Sequence, residues 1–290
     1  MSRISRRVFV AQSAAIVPLA RSLSAYESLR ASNLGVQLYT VRDVILKNPA
    51  STLEAIQSIG YTEVEATYDN LHKIWSGLKE TSLQPVSVHL DEAIFMKGGS
   101  ALDSTLQDVK GRGFKFVVMP YIPVEQRGGP DMFKKLADTL NRSGEKAKSN
   151  GLRLCYHNHA FEYKPVEGKT GLELLMSNTQ KDLVSLELDI FWATIGGHDP
   201  VEILKTYSGR IPLLHLKDKS RAFTKTQYNE TVPPDTFKEI GNGSINIPAV
   251  LKAADSAGVE HYFVEQDHTP GDPIQSLRKS FEYLKTQFNT

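Results

Sequence analysis

From Leu34 onward, short apolar segments alternate with longer segments in which apolar residues recur at helical spacing. The short segments are rich in Val, Ile, Leu, Tyr and Phe, the composition of buried strands. The eight predicted strands are Leu34–Thr40, Thr62–Thr67, Pro85–Leu90, Phe114–Tyr121, Leu152–Asn158, Leu183–Phe191, Ile211–Lys217 and His261–Gln266. The predicted helices are Pro49–Ile59, Asn70–Thr81, Ala101–Arg112, Pro130–Ser149, Gly171–Thr179, Pro200–Tyr207, Pro248–Ala257 and Ser276–Phe288.

A glycine lies near several of the helix-to-strand joints, where it permits a left-handed helix end. These glycines are Gly60, Gly113, Gly151, Gly209 and Gly258. Eight strands, each followed by a helix, predict an α/β fold, a (β/α)8 TIM barrel in one domain over residues 33–290. No Gly-x-Gly-x-x-Gly follows the first strand, which argues against a Rossmann dinucleotide site. The polar segment Asp218–Pro234 after the seventh strand is predicted to be a long loop that could act as a lid.

The composition of the chain is that of an ordinary globular protein, with 40% apolar and 23% charged residues in 290. Its 34 basic and 33 acidic side chains nearly balance, which disfavours a nucleic-acid partner. The single cysteine, Cys155, lies in an apolar run and is predicted to be a core residue.

The first 25 residues have a character of their own. Ser5-Arg6-Arg7-Val8-Phe9 has the twin-arginine form, and a short apolar stretch follows it up to Ala20. We therefore expect residues 1–25 to be a Tat-type export signal that directs the protein to the periplasm. They carry four arginines and no acidic residue, so the rest of the chain has 30 basic and 33 acidic side chains. No other segment is apolar enough for a membrane helix, so no membrane insertion is expected after removal of the signal.

Ionisable side chains gather at the ends of the last four predicted strands. They are His157 and His159 on the fifth, Glu187 and Asp189 on the sixth, His215 and Lys217 on the seventh, and Glu265 on the eighth. Side chains alternate between the two faces of a strand, so each pair shares a face. Carboxylates and imidazoles that converge in a buried place need a cation, and this donor set suits Mn²⁺, Mg²⁺, Co²⁺, Fe²⁺ or Zn²⁺.

At these residues the sequence resembles the xylose-isomerase-like TIM-barrel family, also called sugar phosphate isomerases/epimerases. The resemblance covers residues 33–285. The matching phrases are Gly35-Val36-Gln37-Leu38-Tyr39-Thr40-Val41-Arg42, Tyr156-His157-Asn158-His159-Ala160-Phe161-Glu162, Leu188-Asp189-Ile190-Phe191-Trp192, His215-Leu216-Lys217-Asp218, Gly241-Asn242-Gly243 and Val264-Glu265-Gln266-Asp267.

The resemblance implies one divalent metal ion held by a Glu, Asp, His, Glu set from the late strands. Asp189, His215 and Glu265 match the last three positions. For the first position we expect Glu162, with His157 and His159 as catalytic acid/base groups. In the rival assignment His157 is the ligand and Glu162 transfers protons.

The resemblance also implies a sugar isomerase or epimerase that acts on a sugar or keto-sugar by α-proton abstraction through a metal-stabilised enediolate. The histidines of the fifth strand are more similar to a branch that dehydrates inositol-type substrates or eliminates from 3-keto-glycosides, so a lyase or hydratase is the alternative. Lys217 is a candidate oxyanion stabiliser. His89, Glu65 and Trp192 are candidate substrate-binding residues, and a homo-oligomer is possible.

Two further alternatives stay open at this point. One is a sugar-binding barrel without catalysis. The other is a nuclease, because abasic-site endonucleases share the barrel, but the slightly acidic chain and the export signal oppose it. The letters of His157-Asn158-His159 also match an HNH nuclease motif. That motif needs a different local fold, so we regard the match as a coincidence.

Overall fold

In a computed structural model, which describes residues 34–288, eight parallel strands close into a barrel with helices around it. Strand β1 pairs with both β2 and β8, which completes the ring. The strands are β1 Leu34–Gln37, β2 Glu63–Thr67, β3 Gln84–His89, β4 Phe116–Met119, β5 Arg153–His157, β6 Val184–Asp189, β7 Leu213–Leu216 and β8 His261–Val264. The predicted (β/α)8 fold is confirmed. The predicted export signal lies outside the described residues.

The helices cover the outside of the barrel. They are Arg42–Ile45, Pro49–Ile59, Tyr68–Lys79, Glu92–Lys97, Gly99–Gly111, Pro130–Ser149, Gly171–Asn178, Ile190–Ile195, Pro200–Thr206, Ile247–Ala257 and Pro273–Phe288. Within residues 34–288, none of them is long and apolar enough to cross a membrane. The predicted helices are all present, and three short ones, Arg42–Ile45, Glu92–Lys97 and Ile190–Ile195, were not predicted.

An apolar layer inside the barrel supports the polar layer above it. Phe116, Cys155, Leu213 and Phe263 belong to one buried cluster that is separate from the main core. Because interior positions on a strand recur every second residue, the next interior positions on β5, β7 and beyond β8 are occupied by His157, His215 and Glu265. Gly35 leaves room for the Phe263 ring, since a Cβ there would lie 2.7 Å from it.

The end of β6 corrects one prediction. The sixth strand was expected to reach Phe191, but it stops at Asp189 and a helix starts at Ile190. The cause is local, because Asp189 Oδ1 accepts a hydrogen bond from the backbone N–H of Trp192 at 2.8 Å and so caps this helix. The carboxylate thereby becomes fixed at the mouth of the barrel.

The loop after β7 is anchored by Asp218. Its carboxylate accepts hydrogen bonds from the backbone N–H groups of Lys219, Gly241, Gly243 and Ile245 at 2.8 to 3.1 Å. The close approach needs a glycine, because a Cβ at Gly243 would lie 2.1 Å from Asp218 Oδ1. The carboxylate thus ties the start of the long loop to its end.

We expect Asp218→Ala to lower the free energy of unfolding by about 3 kcal/mol, because several buried N–H groups lose their acceptor. Urea denaturation followed by circular dichroism measures this change. Asp235→Ala, at an exposed position of the same loop, is the matched control and should change stability by less than about 0.5 kcal/mol. Equal stability of the two variants would contradict the anchoring role.

Candidate metal centre and active site

Three of the predicted metal ligands come together at the carboxyl ends of β6, β7 and β8. Donor atoms of Asp189, His215 and Glu265 all lie within 4.8 Å of one another. His215 Nδ1 is 2.7 Å from Glu265 Oε2 and 4.0 Å from Asp189 Oδ2. We call these three residues the upper group. Asp189 and His215 are fully buried and Glu265 is 6% exposed.

Lys217 supplies a positive charge next to the upper group. Its Nζ lies 3.0 Å from Asp189 Oδ2, 2.7 Å from Glu265 Oε2 and 2.9 Å from Asp267 Oδ1. Burial lowers the pKa of Lys217, but Asp189 and the other two carboxylates outweigh it and hold that pKa well above its ordinary value. Lys217 is therefore a buried, permanently charged ammonium.

The carboxylates of the upper group respond differently to this environment. Burial raises the pKa of Asp189 to about 6, although Lys217 and His215 oppose the rise. For Glu265 burial also raises the pKa, but the charges of Lys217 and His215 prevail and hold it far below its ordinary value. Glu265 is accordingly ionised throughout the range in which the protein works.

A second set of buried polar side chains adjoins the upper group, and its Glu187 lies one interior position below Asp189 on β6. Glu187 Oε2 is 2.8 Å from His89 Nε2, 3.0 Å from His157 Nδ1 and 3.4 Å from His215 Nε2. Glu65 Oε2 contacts His215 Nε2 at 2.5 Å and His89 Nε2 at 3.0 Å. We call Glu65, His89, His157 and Glu187 the lower cluster. It touches the upper group through His215.

The histidines around these carboxylates differ in charge. Burial lowers the pKa of His89, but Glu65 and Glu187 reverse this and raise it to about 9. For His157 burial lowers the pKa well below its ordinary value, and His215 lowers it further. His89 is thus an imidazolium, while His157 is a neutral imidazole that can offer one nitrogen as a ligand.

His159 is a second neutral imidazole, on the rim of the cavity. Burial lowers its pKa well below the ordinary value, and Lys217 lowers it further. Its Nδ1 is buried and has no hydrogen-bond partner among the described residues. The ring lies between aromatic neighbours, with centroid distances of 5.3 Å to Tyr121 and 5.5 Å to Trp192. A neutral imidazole with a free nitrogen can accept a proton.

Glu162 was expected to be a metal ligand, but the structure does not place it with the upper group. A turn of 3-10 helix over Phe161–Tyr163 directs its carboxylate back toward β5. There Oε1 accepts a hydrogen bond from the Tyr156 hydroxyl at 2.6 Å and Oε2 accepts one from the His159 N–H at 2.9 Å. Burial raises the pKa of Glu162 to about 8, which the Tyr156 hydrogen bond opposes. The strand-five donor that adjoins the upper group is His157, whose Nε2 lies 3.8 Å from Asp189 Oδ2.

A cavity of about 510 Å³ opens above these residues. Its lining includes the predicted catalytic residues His157, His159 and Lys217 and the predicted substrate-binding residues His89 and Trp192. Glu65, which was also expected to bind substrate, is fully buried beneath the cavity. Its Oε2 accepts a hydrogen bond from Gln37 at 2.8 Å and faces His89 and His215, so it acts on other side chains.

The lining of the cavity is acidic. Its carboxylates are Asp69, Asp91, Glu92, Glu230, Glu265 and Asp267. The lysine and arginine side chains of the lining are Arg42 and Lys217. Arg42 already donates to the carbonyl oxygens of Tyr39 and Asp267, and Lys217 is held by three carboxylates. Carboxylates therefore outnumber cations in the described lining, which disfavours a phosphate group there.

The upper group fits a divalent cation. It provides two carboxylates and an imidazole, a donor set that such ions accept, and His157 Nε2 adjoins it. Asp189 Oδ2 is buried and accepts no hydrogen bond from the described residues, although Lys217 Nζ is 3.0 Å away. Buried carboxylates in such numbers call for more positive charge than one lysine.

Sequence reasoning noted Glu187 as sharing a face with Asp189 but did not select it as a site residue. The signal that could have found it is this same alternation, because Glu187 precedes Asp189 by two residues. Gln37 and Asp267 were also missed. Gln37 ends β1 and Asp267 follows β8. Their positions at strand ends could therefore have identified both as candidate site residues.

Comparisons with known proteins agree with this architecture. Residues 53–287 match the family described as xylose isomerase-like TIM barrel. The inosose dehydratase of Clostridium perfringens is 30% identical over 166 residues, 54% of this chain and 55% of the relative, so the chain spans about half the length of the curated relatives it matches. A sugar phosphate isomerase/epimerase from Parabacteroides distasonis superposes with a TM-score of 0.72 at 25% identity, covering 88% of this chain and 94% of the other. The IolI protein, whose structure holds a zinc atom, has a TM-score of 0.65 at 18% identity over 88% and 96% of the two chains, a likeness of fold.

Proposed function

Because the chain belongs to the xylose isomerase-like TIM barrel family, we propose that it is a divalent-metal-dependent lyase that eliminates from an uncharged keto-sugar after removing an α-proton. The observation that carries the proposal is the neutral His159, with its free Nδ1, beside the upper group in one cavity. The curated relatives of similar sequence are inosose dehydratases, which supports a dehydration or related elimination.

The cavity favours a neutral substrate over a sugar phosphate. Six carboxylates line it, against the cations Arg42, Lys217 and the His89 imidazolium, of which Lys217 and His89 are held by carboxylates. A phosphate group would meet repulsion there without a compensating ion pair. The aromatic faces of Tyr39, Tyr121 and Trp192 offer packing surfaces for a sugar ring.

The chain provides groups for each part of the reaction. Asp189, His215, Glu265 and His157 would hold the divalent ion, which when bound would polarise the substrate carbonyl and acidify the neighbouring C–H. His159 Nδ1 takes the α-proton, and the electron pair that this leaves expels the β-substituent. Lys217 would keep two of these ligands in position through its ion pairs with Asp189 and Glu265. The proton that His159 has taken then passes to the leaving oxygen, which yields the unsaturated ketone and water or an alcohol and returns His159 to its neutral form.

The position of Glu162 favours elimination over epimerisation. Family members that epimerise sugars are expected to pair two glutamates across the metal, one to remove the proton and one to return it. In this chain Tyr156 and the N–H of His159 hold both oxygens of Glu162, so it is not free to serve as the second base. Epimerisation is therefore an outcome that the assay must distinguish.

The test is incubation with an inosose and with 3-keto-glycosides in deuterated water, in the presence of Mn²⁺ or Zn²⁺ and then of EDTA. We expect an unsaturated ketone to form only with the metal ion. His159→Asn should lower kcat by about 100-fold or more while the affinity for the ion stays the same. Incorporation of deuterium with retention of the β-substituent would indicate an epimerase or isomerase, and sugar binding without any turnover would indicate a non-catalytic barrel.

Export to the periplasm and a homo-oligomeric state stay predictions. Export rests on the twin-arginine phrase in residues 1–25. An uncharged substrate is compatible with an exported enzyme, since phosphorylated sugars are scarce outside the cytoplasm.

A further inference from the structure

Glu187 lies at the centre of three imidazoles. The carboxylate is fully buried, and its Oε2 faces His89 Nε2, His157 Nδ1 and His215 Nε2. A buried carboxylate is stable only when charge-assisted hydrogen bonds surround it. Glu65, also fully buried, is held in the same way by Gln37, His89 and His215.

These contacts decide which nitrogen of His157 carries the proton. An ionised carboxylate can only accept hydrogen bonds, so the nitrogen that faces Glu187 must be the N–H. That nitrogen is Nδ1, which leaves the lone pair on Nε2. Nε2 is the atom that points toward the upper group, 3.8 Å from Asp189 Oδ2.

The same reasoning applies to His215. Its Nε2 faces Glu65 and Glu187, and its Nδ1 faces Glu265. Both nitrogens of metal-free His215 therefore carry a proton, and a cation between Asp189 and Glu265 would displace the one on Nδ1 while Glu65 and Glu187 keep the one on Nε2. His157 is thus set in one tautomer, and both rings are set in one orientation, by carboxylates that do not line the cavity.

We propose that Glu187, assisted by Glu65, is a positioning residue that fixes the tautomer of His157 and the ring orientation of His215 for binding of the divalent ion. This inference rests on the proposed function, because it assumes that the upper group binds a metal ion. It explains why two fully buried carboxylates are kept beneath a site that neither of them lines.

The test variant is Glu187→Gln, which keeps the shape of the side chain and removes its charge. All three imidazole nitrogens face Oε2, and the amide oxygen that would replace it carries no charge, so it is a weaker acceptor for the His157 N–H. We expect the dissociation constant for Zn²⁺, measured by calorimetry, to rise by about 10–100-fold. Nitrogen-15 NMR of metal-free, histidine-labelled protein should show His157 protonated on Nδ1 in the wild type and a mixture of tautomers in the variant.

The matched control is Glu63→Gln. Glu63 Oε2 lies 2.8 Å from His261 Nδ1, and both residues are 6% exposed, so this is also a buried carboxylate–imidazole pair. It lies at the opposite end of the barrel, because Glu63 and His261 are the first residues of β2 and β8. The control loses a similar pair and should keep the affinity for Zn²⁺. Glu187→Asp, which retains the charge, is the second variant if Glu187→Gln does not fold, and it should weaken binding less.

The outcomes separate the two proposals. If the wild type binds one ion and Glu187→Gln binds it equally well, or if His157 carries its proton on Nε2, the positioning role is overturned. If the wild type binds two ions and the variant one, the lower cluster is itself a metal site and the positioning role is again wrong. If the wild type binds no divalent ion, the proposed function fails, whatever the NMR spectrum shows.

Discussion

Asp189→Asn is expected to remove metal-dependent turnover while the barrel stays folded. The carboxylate has two separate tasks, because Oδ1 caps the helix Ile190–Ile195 and Oδ2 belongs to the upper group. Asparagine keeps an oxygen for the cap and places an amide nitrogen, which does not bind divalent ions, where the second oxygen stood. The substitution therefore separates the structural task from the chemical one.

We expect kcat/KM to fall by about 1,000-fold or more, which corresponds to about 4 kcal/mol of transition-state stabilisation. The dissociation constant of the ion, measured by calorimetry, should rise by about 100-fold. Asp199→Asn is the matched control, since Asp199 caps the helix Pro200–Thr206 through a hydrogen bond of 2.9 Å from Val201 N and lies outside the lining of the cavity. Full activity of Asp189→Asn would contradict the assignment of Asp189 to the metal.

The barrel was predictable because its strands are buried on both faces. A strand such as β4, Phe116–Met119, is apolar throughout, and a run of that kind bounded by glycine is a strong local signal. The strand ends were less predictable. At Asp189 the hydrogen bond from Trp192 N caps a helix and ends the strand, and the spacing of apolar residues in the sequence gives no sign of this cap.

The site was predictable where alternation along one strand was sufficient. Asp189, His215 and Glu265 each lie at or just beyond a strand end, and closure of the barrel brings them together. Glu162 was expected beside them, but its carboxylate faces Tyr156 and His159, because the direction of a side chain in a turn depends on its partners. The contact of Glu65 with His215 joins β2 to β7, which are distant in sequence, so it follows only from the three-dimensional ring.

Lys217 occupies a special position, because its ammonium contacts two carboxylates of the upper group. Nζ lies 3.0 Å from Asp189 Oδ2 and 2.7 Å from Glu265 Oε2, and Asp267 completes the set at 2.9 Å. In protein without a divalent ion, this ammonium is the main positive charge that these carboxylates have. With the ion bound, Asp189 and Glu265 have a second cation, so Lys217 contributes less to their stability.

Lys217→Met is therefore expected to destabilise the metal-free protein by about 3–5 kcal/mol, because it leaves buried carboxylates without their partner. For a domain of this size that corresponds to a fall in Tm of about 6–20 °C. Added Zn²⁺ should raise Tm by more in the variant than in the wild type, since the ion replaces the lost charge. Activity should stay low even with Zn²⁺, because the ammonium in the cavity is missing.

The measurement is thermal unfolding of both proteins in EDTA and in Zn²⁺. Lys205→Met is the control, because Lys205 forms an exposed ion pair of 2.8 Å with Glu202, and the loss of such a pair changes stability little. If metal-free Lys217→Met is as stable as the wild type, Lys217 does not neutralise the carboxylates. If Zn²⁺ raises the Tm of Lys217→Met and of the wild type equally, the ion binds away from Asp189 and Glu265. Only an ion bound to the carboxylates that Lys217 contacts makes the effect of Zn²⁺ on Tm depend on the substitution.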